Sequence, residues 1–510
     1  MKKTIFENGW VYTEVGDFER AALVVSGAEI QAVVGPGAPL PDDVGEDVER
    51  VDLDRGFVLP GFVDTHVHLT AIALNKLRCD LAGAVSARDA CSKLAQWFAD
   101  NPDAPFVMGV DFDESRWGDA GQPTRAMLDG VSADRPVMVR RICGHIGMVN
   151  SVLLEKLPKR PDLVDEETGT VVEHALWDAG KMWAPEPEQV VTSIESAIRD
   201  LHALGVTAIH DIVEPENFDV YVRGIAGSAA PLRVDVLLHS TPRHLEYYRK
   251  VCEESGAKDL RLAGLKCFLD GSLGGRTAAL NADYADGNGW GTLLMRKEVI
   301  RALGEECSEN GYVLAVHAIG DRAIDQASAV FKGFPSDSHF FRMEHCEVAA
   351  PAQIENLKSA PVFVSLQPNF IRNWGGPGGL NEKRLGKDRN RWCNPYRSLI
   401  DAGIPCVFGS DGMPAGPLFG LKGAVEHPVE EERLTPQLAI GCYTTRPHTL
   451  PAHQRNAGIL EPGRLADFVV LSGNPLGEDL DTIGVRKTVL DGEVVFDSAG
   501  GGAPDPGGEG

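Results

Sequence analysis

Five ionisable side chains stand at the ends of short apolar runs, where they could bind a metal ion. They are His66, His68, His317, His345 and Asp411. His66 and His68 are two residues apart, so alternation along a strand puts both imidazoles on one side, a spacing that can chelate a metal. That pair alone is equally compatible with ordinary polar residues at a strand end. Together the five form the nitrogen and oxygen ligand set that suits zinc or a neighbouring transition metal.

Lys266 is a sixth candidate, because it lies inside the apolar run LAGLKCFLDG. A buried lysine is costly unless it is paired or neutralised. One interpretation is a salt bridge, with Asp270 as the candidate partner. The other is carbamylation by carbon dioxide, which turns the amine into a carboxylate able to bridge two metals. Spacing alone favours the salt bridge.

Eight short apolar strands carry or neighbour these residues, and each is followed by a helix-compatible stretch. The predicted strands are residues 57–68, 206–211, 233–239, 263–271, 312–321, 340–346, 362–368 and 406–412. Strands that alternate with helices indicate parallel βα units, and eight of them predict an α/β fold with a closed (β/α)₈ TIM-like barrel. In that fold the chemistry lies at the carboxyl ends of the strands, which is where the candidate ligands fall.

The barrel is predicted to span residues 58–454 and to contain an insertion between its first and second strands. A structureless loop as long as residues 70–203 would be unusual, so we expect an inserted lobe there, over the barrel mouth. Short β-rich runs in residues 1–57 and 455–497 predict a small β-sandwich built from both chain ends. Residues 498–510 lack apolar content and predict a flexible tail.

Composition limits the classes of partner. The 510 residues include 43% hydrophobic ones, which is a globular composition, and the net charge of −25 disfavours nucleic acid and anionic membranes. The sequence shows no apolar stretch of a length that spans a membrane, no secretory signal and no CxxC pair. We therefore expect a soluble cytoplasmic protein that acts on a small molecule. Self-association into a homo-oligomer is left open, since large barrels often associate.

Several segments follow the pattern of one known family. LPGFVDTHVH, the lysine on the fourth strand, VHAIGD, MEHC and GSDGMP occur in this order, and in this the sequence resembles the amidohydrolase superfamily of metal-dependent barrels. Four further segments resemble the branch that includes the N-substituted formamide deformylases. They are VDFDESRWGDAGQPTRAMLD, GHIGMVNS, LKCFLDGSLGGRTAAL and YTTRPHTLPAHQRNAGILEPGRLADFVVLSGNP. The resemblance runs from Asn8 to about Asp497 and is specific for the superfamily but weak for substrate.

The resemblance implies one or two divalent metal ions, with zinc expected and iron, manganese or cobalt as alternatives. The implied ligands of the more buried metal are His66, His68 and Asp411. A carbamate on Lys266 would bridge to a second metal. The implied ligands of that second metal are His317 and His345. Glu173, in GTVVEHA, matches a glutamate motif of the branch and is a second carboxylate candidate, ranked below Lys266 because only the lysine lies on a predicted barrel strand.

Four residues outside the ligand set are candidates for the substrate pocket. They are His145, Trp117, Arg276 and Glu173. A structural role is an equal alternative for His145 and Trp117. Arg276 could contact a substrate carbonyl or carboxylate, or it could form a salt bridge with Asp270 or Asp283.

The leading functional hypothesis is a metal-dependent hydrolase of a non-peptide C–N bond, such as an N-formyl or N-acyl amine. A metal lowers the pKa of bound water from 15.7 to roughly 7, and Asp411 would act as the general base that passes the water's proton to the leaving nitrogen. A deaminase, or a hydrolase of cyclic amides or carbamates, is the alternative on the same site. A catalytically silent binding or regulatory protein is a third hypothesis, since fold does not guarantee activity, but it predicts a degraded ligand set.

Overall fold

The computed structural model of this protein describes residues 2–45, 48–114, 117, 121–142, 146–239, 245–335 and 341–500, without the side chains of residues 173, 174 and 500. The described chain divides into two compact units. The first, which we call the barrel unit, runs up to Leu69 and continues from Ile198. The second, the inserted unit, is Thr70–Ala197. Elements are numbered in chain order through both units.

Eight parallel strands form the central sheet of the barrel unit. They are β6 (Phe62–Val67), β13 (Val206–Val213), β14 (Arg233–His239), β15 (Leu260–Phe268), β16 (Val313–Ala318), β17 (Phe341–His345), β18 (Val362–Leu366) and β19 (Cys406–Phe408). Each pairs with the next along the chain. The backbone N–H of Asp411, just after β19, donates to the carbonyl of His66 in β6 at 2.7 Å. The sheet is therefore nearly closed, and the predicted TIM-like barrel is confirmed.

Strands from both chain ends form a second sheet of the barrel unit, the terminal sheet. Its strands are β1 (Lys3–Tyr12), β2 (Phe18–Ser26), β3 (Glu29–Val34), β4 (Glu49–Asp52), β5 (Phe57–Pro60), β20 (Phe468–Leu471), β21 (Val485–Leu490) and β22 (Glu493–Asp497). β5 pairs in parallel with β1 and antiparallel with β20. The two ends of the chain thus join in one hydrogen-bonded sheet, with an apolar core that includes Phe6, Val58 and Phe468.

The predicted first strand, residues 57–68, is in fact two strands. β5 belongs to the terminal sheet, β6 belongs to the barrel, and Gly61 separates them. A Cβ atom on Gly61 would lie 2.3 Å from Oγ1 of Thr207, so only glycine permits this close approach. The break could not be predicted from the sequence, because both strands are buried and their residues form one continuous apolar run.

The inserted unit contains a six-stranded sheet of its own. Its strands are β7 (Cys79–Asp80), β8 (Val107–Phe112), β9 (Val137–Arg141), β10 (Ile146–Val149), β11 (Val164–Asp165) and β12 (Thr170–Val172), in the order β11-β12-β10-β9-β8-β7. Two apolar clusters pack in this unit, one around Leu94 and Phe112 and the other around Met138 and Leu176. Residues 70–197 therefore have their own core.

Helices fill most of the connections between strands. They are α1 (Leu69–Asn75), α2 (Ala87–Asp100), α3 (Arg125–Asp129), α4 (Ser151–Leu154), α5 (Glu173–Lys181), α6 (Pro187–Ala203), α7 (Phe218–Gly227), α8 (Leu245–Glu254), α9 (Lys297–Glu309), α10 (Asp321–Phe331), α11 (Pro351–Lys358), α12 (Pro368–Trp374), α13 (Leu380–Leu385), α14 (Lys387–Asn390), α15 (Tyr396–Asp401), α16 (Pro417–Val425) and α17 (Pro436–Tyr443). In α10 the buried residues Ile324, Ala327 and Phe331 follow helical spacing. No helix within the described ranges combines the length and apolar character required to span a bilayer.

Arg233 connects barrel strand β14 to the terminal sheet. Its guanidinium donates to both carboxylate oxygens of Asp467, at 2.7 and 2.9 Å, and contacts Asp491 at 2.6 Å and Asp259 at 2.9 Å. The side chains of Arg233 and Asp467 are almost fully buried. The fixed fork of arginine suits such a set of carboxylates.

Arg233→Met is expected to lower the free energy of unfolding by about 3–5 kcal/mol, because it leaves a buried carboxylate without its cation. Urea unfolding measures this change. Lys258→Met is the matched control, since Lys258 is largely exposed and pairs with the same Asp491 at 3.1 Å; its expected cost is below about 1 kcal/mol. Equal losses in the two variants would contradict the role given to Arg233.

Candidate metal centre

The carboxyl ends of the barrel strands bring three of the proposed ligands together. His66 lies in β6, His345 ends β17, and Asp411 follows β19. Each offers one ligand atom, and these atoms all lie within 4.8 Å of one another. The Nε2 atom of His66 is 3.4 Å from Oδ1 of Asp411.

The other two histidines adjoin this group. His68 follows β6 directly, and its Nε2 atom is 3.1 Å from the same Oδ1 of Asp411. The rings of His66 and His68 have centroids 5.6 Å apart. His317 lies on β16, and its ring centroid is 4.5 Å from that of His345. The five side chains therefore form one continuous cluster.

Hydrogen bonds fix which nitrogen of each ring is free. Nδ1 of His66 is 2.7 Å from Oε2 of Glu344, and Nε2 of His317 is 3.0 Å from the carbonyl of Gly271. The remaining nitrogens, Nε2 of His66 and Nδ1 of His317, are buried and have no hydrogen-bond partner among the described residues. Buried polar atoms without a partner call for an explanation, and a bound cation supplies one.

His345 is oriented in the same way. Its Nδ1 atom is 2.8 Å from Oε1 of Gln367, whose Nε2 atom donates to the carbonyl of Ser365. The ring also lies parallel to that of Phe370, with centroids 5.9 Å apart. These contacts leave Nε2 as the atom of His345 that can coordinate a metal ion.

Three of the four histidines and Asp411 are in the ionisation state that metal binding needs. Burial, together with the charge of Lys266, places the pKa of His66 well below its usual range and lowers the pKa of His317 to about 4. Burial also lowers the pKa of His345 strongly. For Asp411 burial alone would raise the pKa, but the neighbouring His66, His68 and Lys266 outweigh burial and hold the pKa at about 2. At His68 the contact with Asp411 outweighs burial and raises the pKa. The neutral imidazoles of His66, His317 and His345 and the ionised carboxylate of Asp411 are in the states in which these groups bind a metal.

Two of these residues have a strained backbone. His345 has φ = 70° and Asp411 has φ = 57°, in the left-handed region that L-residues avoid. Such residues cost about 1–3 kcal/mol each and concentrate at functional sites, where surrounding contacts hold them. Near Asp411 those contacts include the backbone bond to His66 and the bond of 2.9 Å from the Ser410 N–H to Asp64.

Lys266 lies on β15 and is fully buried. Its Nζ atom has no hydrogen-bond partner within the part of the chain that the structure describes. It lies 4.7 Å from the ring centroid of Phe268, and that ring is 4.9 Å from the ring of His317. Burial lowers the pKa of the amine. Lys266 is thus a partnerless amine beside the histidine cluster.

The salt bridge between Lys266 and Asp270, which spacing favours, is wrong. The carboxylate of Asp270 lies beyond the end of β15 and accepts three backbone N–H bonds. The donors are Ala279 at 2.9 Å, Ile319 at 3.0 Å and Gly320 at 2.8 Å. Backbone amides leave no signal in a sequence, which is why Asp270 looked available.

Arg276 also pairs differently from the prediction. It forms an ion pair of 3.0 Å with Asp286, not with Asp270 or Asp283, and its side chain is 42% exposed. Asp270 is unavailable because backbone amides occupy its carboxylate. The structure thus gives Arg276 a partner within its own loop.

The remaining pocket candidates lie in the inserted unit. Trp117 is buried in the core of that unit, where its ring packs 5.7 Å from Phe112 and its Nε1 atom donates to the carbonyl of Ala84. These contacts are those of a core residue. The backbone of Glu173 begins α5, but its side chain lies outside the described atoms, and His145 lies outside the described residues.

Sequence reasoning missed the polar residues that hold the histidines. Glu344 and Gln367 contact His66 and His345, and Arg342 contacts Glu344. A signal was present in FRMEH, where two charged residues are two apart in an otherwise apolar strand and so share one face. Buried charges of this kind need partners.

A second cluster could be mistaken for a metal site. His210, Asp235 and His453 are buried and offer ligand atoms within 4.8 Å of one another. However, Oδ1 of Asp235 accepts from Arg261 and Arg455 at 2.6 and 2.7 Å. Its Oδ2 atom accepts from Arg261 and His453, both at 3.0 Å. All lone pairs of the carboxylate are used and two guanidiniums adjoin it, so this cluster does not suit a cation.

Several known proteins resemble this chain over most of its length. YtcJ of Bacillus subtilis (strain 168), which is named as an amidohydrolase, is 29% identical over 98% of this chain and 100% of its own length. The N-substituted formamide deformylase of Arthrobacter pascens is 25% identical over 94% of this chain and 95% of its own. Among solved structures, an uncharacterized metal-dependent hydrolase from Pyrococcus horikoshii OT3 is 27% identical, with a TM-score of 0.79, and the match covers 94% of this chain and 99% of that one.

The family match extends over most of the sequence. A sequence model described as the amidohydrolase family matches residues 49–496, which include every proposed ligand. The match spans the barrel and the inserted unit together. The chain therefore belongs to the amidohydrolase family.

Proposed function

We propose that this amidohydrolase is a metal-dependent enzyme that cleaves a non-peptide C–N bond in a small molecule, such as an N-formyl or N-acyl amine. The observation that carries the proposal is a pair of buried ring nitrogens, on His66 and His317, which accept or donate no hydrogen bond among the described residues and lie in one cluster with the ionised Asp411. Similarity to the formamide deformylase supports the substrate class.

The proposed ligands are those expected from the sequence. They are His66, His68, His317, His345, Asp411 and a carbamate formed on Lys266. Imidazole and carboxylate donors suit zinc, and iron, manganese or cobalt are alternatives. A divalent ion held here supplies Lewis acidity, which acidifies water and polarises a carbonyl. For the carbamate, the unprotonated form of the Lys266 amine, which burial favours, adds to carbon dioxide and loses one proton.

Asp411 is the proposed general base. Its carboxylate is ionised at neutral pH, so it can accept the proton of the attacking water and return it to the leaving nitrogen. Nε2 of His68 lies 3.1 Å from Oδ1, so the proposed base adjoins another proposed ligand. Asp411 is thus the residue that moves the proton in this proposal.

A hydrolysis screen with the zinc-loaded protein tests this function. The panel contains N-formyl amines, N-acyl amines, cyclic amides, carbamates and amino-substituted heterocycles, and the assay separates amine from ammonia. Amine release that stops after chelation and returns with zinc is the expected result. Ammonia as the nitrogen product would instead favour the deaminase. A protein that binds no zinc, iron or manganese and turns over nothing in the panel would favour a silent binding or regulatory protein.

A further inference from the structure

We propose that Arg342 is a positioning residue for His66. It would hold the Glu344 carboxylate against Nδ1 of His66, which leaves Nε2 as the ligand atom. This inference rests on the proposed metal site, but it concerns residues that do not themselves bind the metal. Both Arg342 and Glu344 are fully buried.

Glu344 contacts both His66 and Arg342 and so links the two residues. Oε2 of Glu344 is 2.7 Å from Nδ1 of His66 and also accepts from Nη2 of Arg342 at 3.2 Å. Nε of Arg342 lies 2.6 Å from the other oxygen, Oε1, although without hydrogen-bond alignment. The Nη2 atom of Arg342 also donates to the carbonyl of Thr65, the residue before His66. One guanidinium therefore touches the carboxylate that orients His66 and the backbone beside it.

Arg342 also contacts His210, which lies on the side of the guanidinium away from His66. Its Nη1 atom donates to Nδ1 of His210 at 3.0 Å, and Nε2 of His210 then faces Asp235 at 3.6 Å. The His210 ring stacks on that of His453 at 3.8 Å. We call the series His66, Glu344, Arg342, His210, Asp235 and His453 the polar column. It joins the ligand cluster to a segment near the carboxyl end of the chain.

The geometry favours positioning over simple charge balance. The carboxylate of Glu344 could rotate if His66 were its single contact, but Arg342 donates a hydrogen bond to Oε2 and forms a close ion pair with Oε1, and both contacts restrict that rotation. Partners that orient ligand imidazoles typically affect metal affinity by 10–100-fold when they are mutated. Arg342 should therefore act on metal affinity through Glu344.

A double-mutant cycle tests this coupling. Zinc affinity is measured by competition with a chromophoric chelator for the wild type, Arg342→Met, Glu344→Gln and the double variant. Each single variant should bind zinc about 10–100-fold more weakly. The double variant should be no weaker than Glu344→Gln, because the two residues act in series. Wild-type affinity in Arg342→Met, or losses that multiply, would overturn the proposal.

Two further variants keep the test decisive. Arg233→Met removes another buried arginine of the barrel unit, so it should lower stability while the folded protein keeps its zinc affinity. If Arg342→Met does not fold, Arg342→Lys keeps the charge but cannot reach Glu344 and His210 together. It should weaken zinc binding and shift the visible absorption of the cobalt-loaded protein, and an unchanged affinity and spectrum would overturn the proposal. Failure of the wild type to bind zinc would instead overturn the proposed function and this inference with it.

Discussion

Asp411→Asn is expected to lower kcat by roughly 10²–10⁴-fold on the substrate that the screen identifies, while the protein stays folded. Asparagine keeps the size of the side chain but cannot accept the proton of water, and general base catalysis is typically worth this factor. The amide can still contact Nε2 of His68, which lies 3.1 Å from Oδ1 in the wild type. Steady-state kinetics, with zinc content measured on the same sample, give the result.

The control for this variant is Asp401→Asn, at an exposed aspartate whose partner is Arg397 on the same helix. We expect it to retain full kcat and full zinc content. Zinc content also separates two causes of a loss in Asp411→Asn, because a lost ligand empties the site while a lost base leaves it filled. Full activity in Asp411→Asn with zinc bound would refute the assignment of Asp411 as general base.

Lys266→Met is expected to lower both zinc affinity and kcat by about a hundredfold or more. Methionine fills a similar apolar space but cannot carry a carbamate, and loss of a ligand should cost at least as much as loss of a residue that orients one. Because Nζ has no partner among the described side chains, no ion pair is broken, so the variant should remain folded. Metal analysis measures zinc binding, steady-state kinetics give kcat, and circular dichroism shows separately whether the variant is folded.

Carbon dioxide provides an independent test of the same residue. Metal-free wild type that is reloaded with zinc in carbon dioxide-depleted buffer should regain less activity than a sample given bicarbonate. Lys250→Met, at an exposed lysine of α8, is the matched control and should behave as wild type. If Lys266→Met binds zinc normally, the carbamate is wrong, and Glu173→Gln becomes the variant to examine.

The barrel and the ligand cluster were predictable because both rest on local signals. Each barrel strand is an apolar run, and parallel strands bring residues at their ends to one edge, so His66, His345 and Asp411 could be grouped without knowledge of their distances. The order of strands followed from their alternation with helices. The first strand was harder, because nothing in FVLPGFV marks the change of sheet at Gly61 except the glycine itself.

Contacts made by the backbone or by distant side chains were not predictable. The partners of Asp270 are amide groups that any residue could supply, so the simplest side-chain partner was chosen instead. The roles of Glu344 and Arg342 can be recognised only when their contact with His66, which is far away in the sequence, is known. Pairings of this kind depend on tertiary geometry that composition and spacing do not contain.

The arrangement of the terminal sheet has a consequence for biosynthesis. All strands of the barrel have been synthesised once the ribosome passes Phe408, but β5 cannot pair with β20 until residues 468–471 have been made. Arg233 likewise can pair with Asp259 early, but with Asp467 and Asp491 only after these residues have been made. Contacts this distant in sequence slow folding, because closing the long intervening segment costs conformational entropy before the contacts can form. A ribosome-bound chain that ends before β20 therefore exposes the edge of β5 and lacks two of the carboxylates that pair with Arg233. Chaperones would recognise such a nascent chain until β20–β22 are made.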